Sequence, residues 1–172
     1  TGNFDVDALL AEEYLTAPLR KHDLPPISDG GTAVVIATAA KAKEVCERPV
    51  WIRGLDHRIE IHQPGFRDLT ESPSTRLAGE HAGVGDAKVD VAELSASFSH
   101  QEKILKTELG LGDDVDVNLS GGALAANPMM AVGLSRFAEA ARQIQGGKHR
   151  AVAHATSGQA LQQNLVGVLE GD

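Results

Sequence analysis

At 172 residues the chain has room for one sizeable core, so a single domain is expected. A net charge of −8 argues against a nucleic-acid binder, which needs a clustered basic face, and no apolar run reaches the ~20 residues of a membrane span. With aromatics at 3% and 18 glycines, the composition favours close backbone packing over a surface of aromatic anchors. The lone Cys46 excludes an internal disulfide and fits a reducing cytoplasm, and the opening Thr1-Gly2-Asn3-Phe4-Asp5 has no features of a signal peptide.

From Asp5 to Thr16 the apolar positions Val6, Leu9, Leu10 and Tyr14 fall at helical spacing. Pro18, Pro25-Pro26 and Asp29-Gly30-Gly31 then mark an irregular connection. Thr32 to Thr38 is β-branched and almost wholly apolar, which predicts a strand covered on both faces. Ala39 to Cys46 predicts a short helix, and Val50 to Ile61 a long strand. A loop from His62 leads to a helix at about Pro73 to His81, with Ser72 as N-cap and Pro73 in its first turn.

Val89 to Leu94 predicts a short strand, and His100 to Leu109 a helix. The glycine-rich Asn118 to Ala126 precedes a long helix from about Pro128 to Gln145, with Val132, Leu134, Phe137, Ala138, Ala141 and Ile144 as its apolar positions. Ala151 to Ala155 and Leu165 to Leu169 are two buried strands, too close together for a helical crossover and therefore a hairpin. Strands alternating with helices and ending in a hairpin imply an α/β fold with a mixed five-stranded sheet layered between helices.

Four segments resemble the thiolase superfamily, in its acetyl-CoA acetyltransferase-like and sterol-carrier-type branch. Pro18-Leu19-Arg20, Asp23 and Ser28-Asp29-Gly30-Gly31 before AVVIA are similar to the segment that closes a thiolase's N-terminal half. Val91 to Gln101 (VAELSASFSHQ) stands where the family carries Asn-Glu-Ala-Phe or His-Asp-Ala-Phe. Asn118 to Pro128 (NLSGGALAANP) resembles the family's glycine-rich loop ending in His-Pro. ATSGQALQQN stands where it places a Cys-x-Gly turn. The resemblance implies two stacked α/β halves in five layers. Residues 1–46 would then be the tail end of the first half, with its last strand and helix, and 47–172 the C-terminal domain. A complete thiolase is about twice as long, and its nucleophilic cysteine lies in the half that is not here.

In the family the His of His-Pro is base and oxyanion donor; here the matching residue is Asn127. Asparagine donates a hydrogen bond but cannot take a proton, so the oxyanion role survives and the base role does not; the alternative is a helix-capping asparagine. Ser95 takes the Asn/His position of the second motif, either to order a water or as local polar filler. Thr156-Ser157-Gly158 replaces the Cys-x-Gly turn, leaving His154 as the nearest titratable group. It would be a proton shuttle if strand alternation faces it to the site, and otherwise a core histidine. Gly121, Gly122, Ser157 and Gly158 would shape the cavity around a coenzyme A thioester, with no covalently bound cofactor. Cys46 matches no nucleophile motif, and His100 reads as a capping or surface residue beside a catalytic alternative. His57, Glu60 and His62 have poor spacing for zinc.

Three functions compete. The chain is the C-terminal part of an acyl-CoA acyltransferase acting on fatty or sterol-derived thioesters. Alternatively it is a subunit of a steroid side-chain aldolase, which the resemblance pairs with a small zinc-ribbon/OB-fold partner. The third is a non-catalytic CoA-binding or assembly protein. The expected partner is the missing N-terminal half or a separate subunit, in a homo- or hetero-oligomer.

Overall fold

The computed structural model describes residues 5–172. The opening residues 1–4, read above for a signal sequence, lie outside them. Five strands form one mixed sheet in the order β1-β5-β4-β2-β3: β1 Trp51–Ile59, β2 Val91–Glu93, β3 Asp116–Val117, β4 Arg150–Ser157 and β5 Gln163–Glu170. β2 runs parallel to β3 and β4, while β5 is antiparallel to β4 and to β1. The hairpin predicted from the short spacing of the last two strands is therefore present. β3 was not anticipated.

Strand alternation divides the core. On one face Ala92, Leu94, Val152, Val166 and Val168 pack against α3 (Pro73–Ala82) and α4 (Ser99–Glu108). On the other, Val91, Ala151, Ala153 and Leu169 meet Ala140 and Ile144 of α6 (Val132–Gln145). The sheet thus lies between helices, and a short helix, α5 (Gly122–Ala125), sits in the glycine-rich loop before α6. α3 fits against β1 because residue 54 is glycine: a Cβ there would fall 2.0 Å from the Ala82 carbonyl oxygen.

The N-terminal stretch behaves differently. α1 (Val6–Ala11) and α2 (Ala39–Val45) have no buried residue. The expected strand at Thr32–Thr38 does not form: Val35 is 96% and Ile36 78% exposed, and the segment pairs with no strand. Its composition suits a doubly covered strand, but a strand needs a ladder partner, and the chain's own sheet offers it none. The stretch is nonetheless tied down at three places. Asp23 accepts from the Ser99 hydroxyl at 2.6 Å, Ile27 forms a bridge with Asn127, and the Thr32 and Ser135 hydroxyls lie 2.5 Å apart.

α6 starts at Val132 rather than Pro128, because Pro128 to Ala131 form a separate turn closed on the Pro128 carbonyl. Its buried stripe is Val132, Arg136, Ala140 and Ile144, while Leu134 is exposed. The apolar face read from the sequence is therefore rotated, and a charged residue sits within the true one. Among the described residues, no helix is long and apolar enough to cross a membrane.

Candidate functional site

The site is built where the C-terminal ends of β2 and β4 meet the start of α6. Register fixes the layout: Glu93 pairs with Ala153, the last rung of the β2–β4 ladder, two residues before Ala155. Ala155 in turn touches the first turn of α6, where a Cβ added at Gly133 would fall 2.7 Å from its own. Ser95 stands two residues past the end of β2, where the Ala96 N–H donates to the Leu94 carbonyl at 2.9 Å across it. It is fully buried, and its Oγ has no partner within the protein. Asn127 stands before the turn that opens α6, held by the bridge to Ile27. Its Oδ1 is likewise buried and unpaired, as is the Oγ of neighbouring Ser28.

The glycine-rich loop is fastened alongside β2 at three points, the first being the Asn118 N–H donated to the Ala92 carbonyl at 2.8 Å. Asn118 accepts the Leu94 N–H at 2.7 Å through Oδ1, and Ser120 binds the Glu93 carboxylate through both its N–H and its hydroxyl. Gly121 and Gly122 follow with φ of 92° and 63°. At Gly122 a side chain is excluded twice over, by that left-handed backbone and by Asn118 side-chain atoms 2.9 to 3.1 Å from where a Cβ would lie.

On the far side is the β4–β5 turn. Ser157 is exposed at the end of β4, and Gly158 takes φ 76° where the turn begins. Ala160 and Leu161 also have positive φ, a costly arrangement for residues with a Cβ. Arg67 secures it by donating to the Gln159 and Ala160 carbonyls at 2.9 and 3.0 Å, and Asn164 donates to the Leu161 carbonyl at 2.7 Å.

His154 does not join this group. Alternation turns it to the α3 side of the sheet, fully buried, with Nε2 2.9 Å from Asn164 Oδ1. The Asn164 amide donates in turn to Ser74 and Leu161, which leaves Oδ1 to accept and fixes the imidazole proton on Nε2. Burial pushes its pKa down to about 4, outweighing the opposite effect of the Asn164 hydrogen bond. The ring is neutral at pH 7 and its bare Nδ1 is enclosed.

Cys46 lies at the C-terminal end of exposed α2, and His100 stacks on Phe98 with ring centroids 5.8 Å apart. Glu60 caps α3 through the Ser74 N–H at 2.6 Å, and His62 pairs with Gln162 at 3.0 Å, so the residues considered for a metal serve separate contacts. Among the described residues, no three His, Cys, Asp or Glu side chains come together to hold a metal.

Sequence reasoning missed Glu93 and Arg136. Arg136 donates to Glu93 at 3.1 Å and to the Ser120 hydroxyl at 2.7 Å, with the carboxylate fully buried and the arginine 6% exposed. The signal was present: opposite charges standing at inward positions of an apolar strand and an apolar helix face.

No protein-family model matches the chain. A 3-ketoacyl-CoA thiolase from a Marinomonas species is 30% identical over 147 residues, covering 84% of this chain and 37% of its own length. The chain spans about two fifths of the length of the first curated relatives it matches. Among solved structures, an Ltp2-ChsH2(DUF35) aldolase superposes with TM-score 0.84 at 21% identity, over 98% of this chain and 52% of that one. The Bacillus anthracis acetyl-CoA acetyltransferase superposes with TM-score 0.73 at 18% identity, over all of this chain and 44% of that one. Sequence and fold together place the chain in the thiolase superfamily, where it corresponds to the C-terminal half.

Proposed function

We propose that this chain is the C-terminal part of a thiolase-fold acyl-CoA acyltransferase, and that its own task is to bind a coenzyme A thioester and polarise the carbonyl. The observation that carries the reading is that Ser95 Oγ and Asn127 Oδ1, at the two motif positions, are both buried without a partner in the protein. Buried polar groups are rarely left without a partner: the Ser95 hydroxyl has a hydrogen to donate to a carbonyl oxygen, while the unpaired Asn127 atom is the acceptor Oδ1, so that side chain would donate through its amide Nδ2. In this reading Gly121, Gly122, Ser157 and Gly158 would border the bound thioester. The cysteine nucleophile comes from the N-terminal half, carried on the same polypeptide or on a partner subunit, while the family's base position in this half carries Asn127, which takes no proton. In the reaction the thiolate adds to the carbonyl, negative charge develops on oxygen, and Ser95 and Asn127 stabilise it. The setting is cytoplasmic and the substrate a lipid-derived thioester.

The superposition on the Ltp2-ChsH2(DUF35) aldolase, over nearly the whole chain, favours a second reading. In a retro-aldol cleavage a base takes the β-hydroxyl proton and the Cα–Cβ bond breaks. Its electrons enter a thioester enolate held by the same two donors, and the α-carbon is then protonated. That route needs no acyl-cysteine.

The test joins this chain to its N-terminal half, mixes the assembly with acyl-CoA substrates and quenches in acid. Covalent acyl-enzyme on the other half supports transfer; a released carbonyl product without it supports the aldolase. The chain alone should give no thiolysis of acetoacetyl-CoA between about pH 6 and 9, because neither Asn127 nor Ser157 titrates there. Turnover that vanishes in Cys46→Ala would make Cys46 the nucleophile and overturn the assignment.

A further inference from the structure

Glu93 and Arg136 are the most thoroughly buried ion pair among the described residues, and the reaction outlined above gives them no task. Glu93 is poorly placed to move protons. Its Oε1 accepts the Ser120 N–H at 3.1 Å, and its Oε2 accepts the Ser120 hydroxyl at 2.6 Å and Arg136 Nη1 at 3.1 Å. Ser120 is equally committed. Its hydroxyl donates to Glu93 and accepts from Arg136 Nη1 at 2.7 Å and from the Gly122 N–H at 3.2 Å. One donor and two acceptor sites are all a serine hydroxyl has.

The three residues come from three elements: Glu93 from the end of β2, Arg136 from the second turn of α6, and Ser120 from the loop that runs between them to Asn127. A buried ion pair contributes little net stability, since desolvation offsets its attraction, but it fixes geometry where its partners are fully hydrogen-bonded. Ser95 lies two residues beyond Glu93, just past the end of β2, and Asn127 lies at the far end of the loop that Ser120 anchors. We propose that Glu93 and Arg136 are positioning residues. Acting through Ser120, they lock the 118–127 loop onto β2 and so preset the separation of Ser95 and Asn127. The presetting of these two donors rests on the functional reading above; the locking of the loop does not.

The experiment measures amide hydrogen exchange on the full chain, with titration of a non-hydrolysable acyl-CoA thioether as a second readout. Ser120→Ala should speed exchange at Gly121 to Ala126 by ten-fold or more and leave β4 and β5 unchanged, while Ser120→Thr, which keeps the hydroxyl, should restore slow exchange. Glu93→Gln alone strands the arginine and risks unfolding, so the second variant is Glu93→Leu with Arg136→Met, an apolar pair of similar volume. It should melt near the wild-type temperature while its loop exchanges as fast as in Ser120→Ala. In both variants the thioether dissociation constant should rise about ten-fold. Loop exchange as slow as in wild type, in either folded variant, overturns the proposal. So does faster exchange spread evenly over β2 and α6, which would mark a general stabilising contact. If wild type takes no thioether, the functional reading falls, and the exchange measurements still decide this one.

Discussion

The neutral His154 ring, donating to Asn164 and shut away from solvent, couples this fold to pH. In the unfolded chain a histidine titrates near 6.5, whereas burial holds the folded one at about 4. Between those values the unfolded state binds a proton that the native state does not. Stability is therefore full above pH 6.5 and falls as pH drops toward 4, by roughly 3 kcal/mol for a shift of that size. Urea melts at pH 7.0 and 4.5 should show the loss, and His154→Gln, which keeps a donor toward Asn164, should remove most of the difference. An equal loss in the variant would assign the acid sensitivity elsewhere. Ser95 and Asn127 were legible as candidates because each matches a motif position. The face His154 occupies was not, since it depends on the register of β4 against β2, which long-range pairing sets.

Elements whose packing partners lie within the chain were readable, and the others were not. α3, α4 and the β4–β5 hairpin follow their local signals: Pro73 in the first turn of α3, apolar Leu105 buried on α4, and too few residues between the last strands for a crossover. Thr32–Thr38 carries as strong a strand signal as any, yet stays extended and unpaired because pairing is a property of two segments. β3 was missed because two residues, Asp116 and Val117, cannot show a period. The contact between α3 and β1 could not be foreseen either, since a lone glycine in a strand says nothing of what approaches it. Gly54→Ala would drive a methyl against the Ala82 carbonyl and should cost about 2 kcal/mol or more in a urea melt, because a backbone atom cannot step aside as a side chain can. A loss under about 0.5 kcal/mol would show that α3 slides freely on the sheet.

At the scale of the molecule, the sheet is covered unequally. α3 and α4 shield one face, but on the other α6 leaves Leu55 and Ile59 of β1 55% and 61% exposed, and the Val34 to Ile36 stretch stands open besides. Large apolar side chains left open in this number mark an interface. Purified alone, the chain should scatter light as a species larger than 18.1 kDa, and it should form a defined complex with a fragment of about 200 residues, the size of a missing domain. A monodisperse monomer that ignores that fragment would count against the assembly.

The open Thr32–Thr38 segment also bears on how the protein would survive in a cell. An extended apolar stretch flanked by solvated helices is what holdase chaperones seize and what proteases thread first. A chain synthesised without its complement should have a short life, and expression of the complement should lengthen it. Replacing Val35 and Ile36 with serine should lengthen the life of the lone chain and, at the same stroke, deprive it of its partner. The exposed segment would then serve as a timer that rations the protein to the amount of its other half.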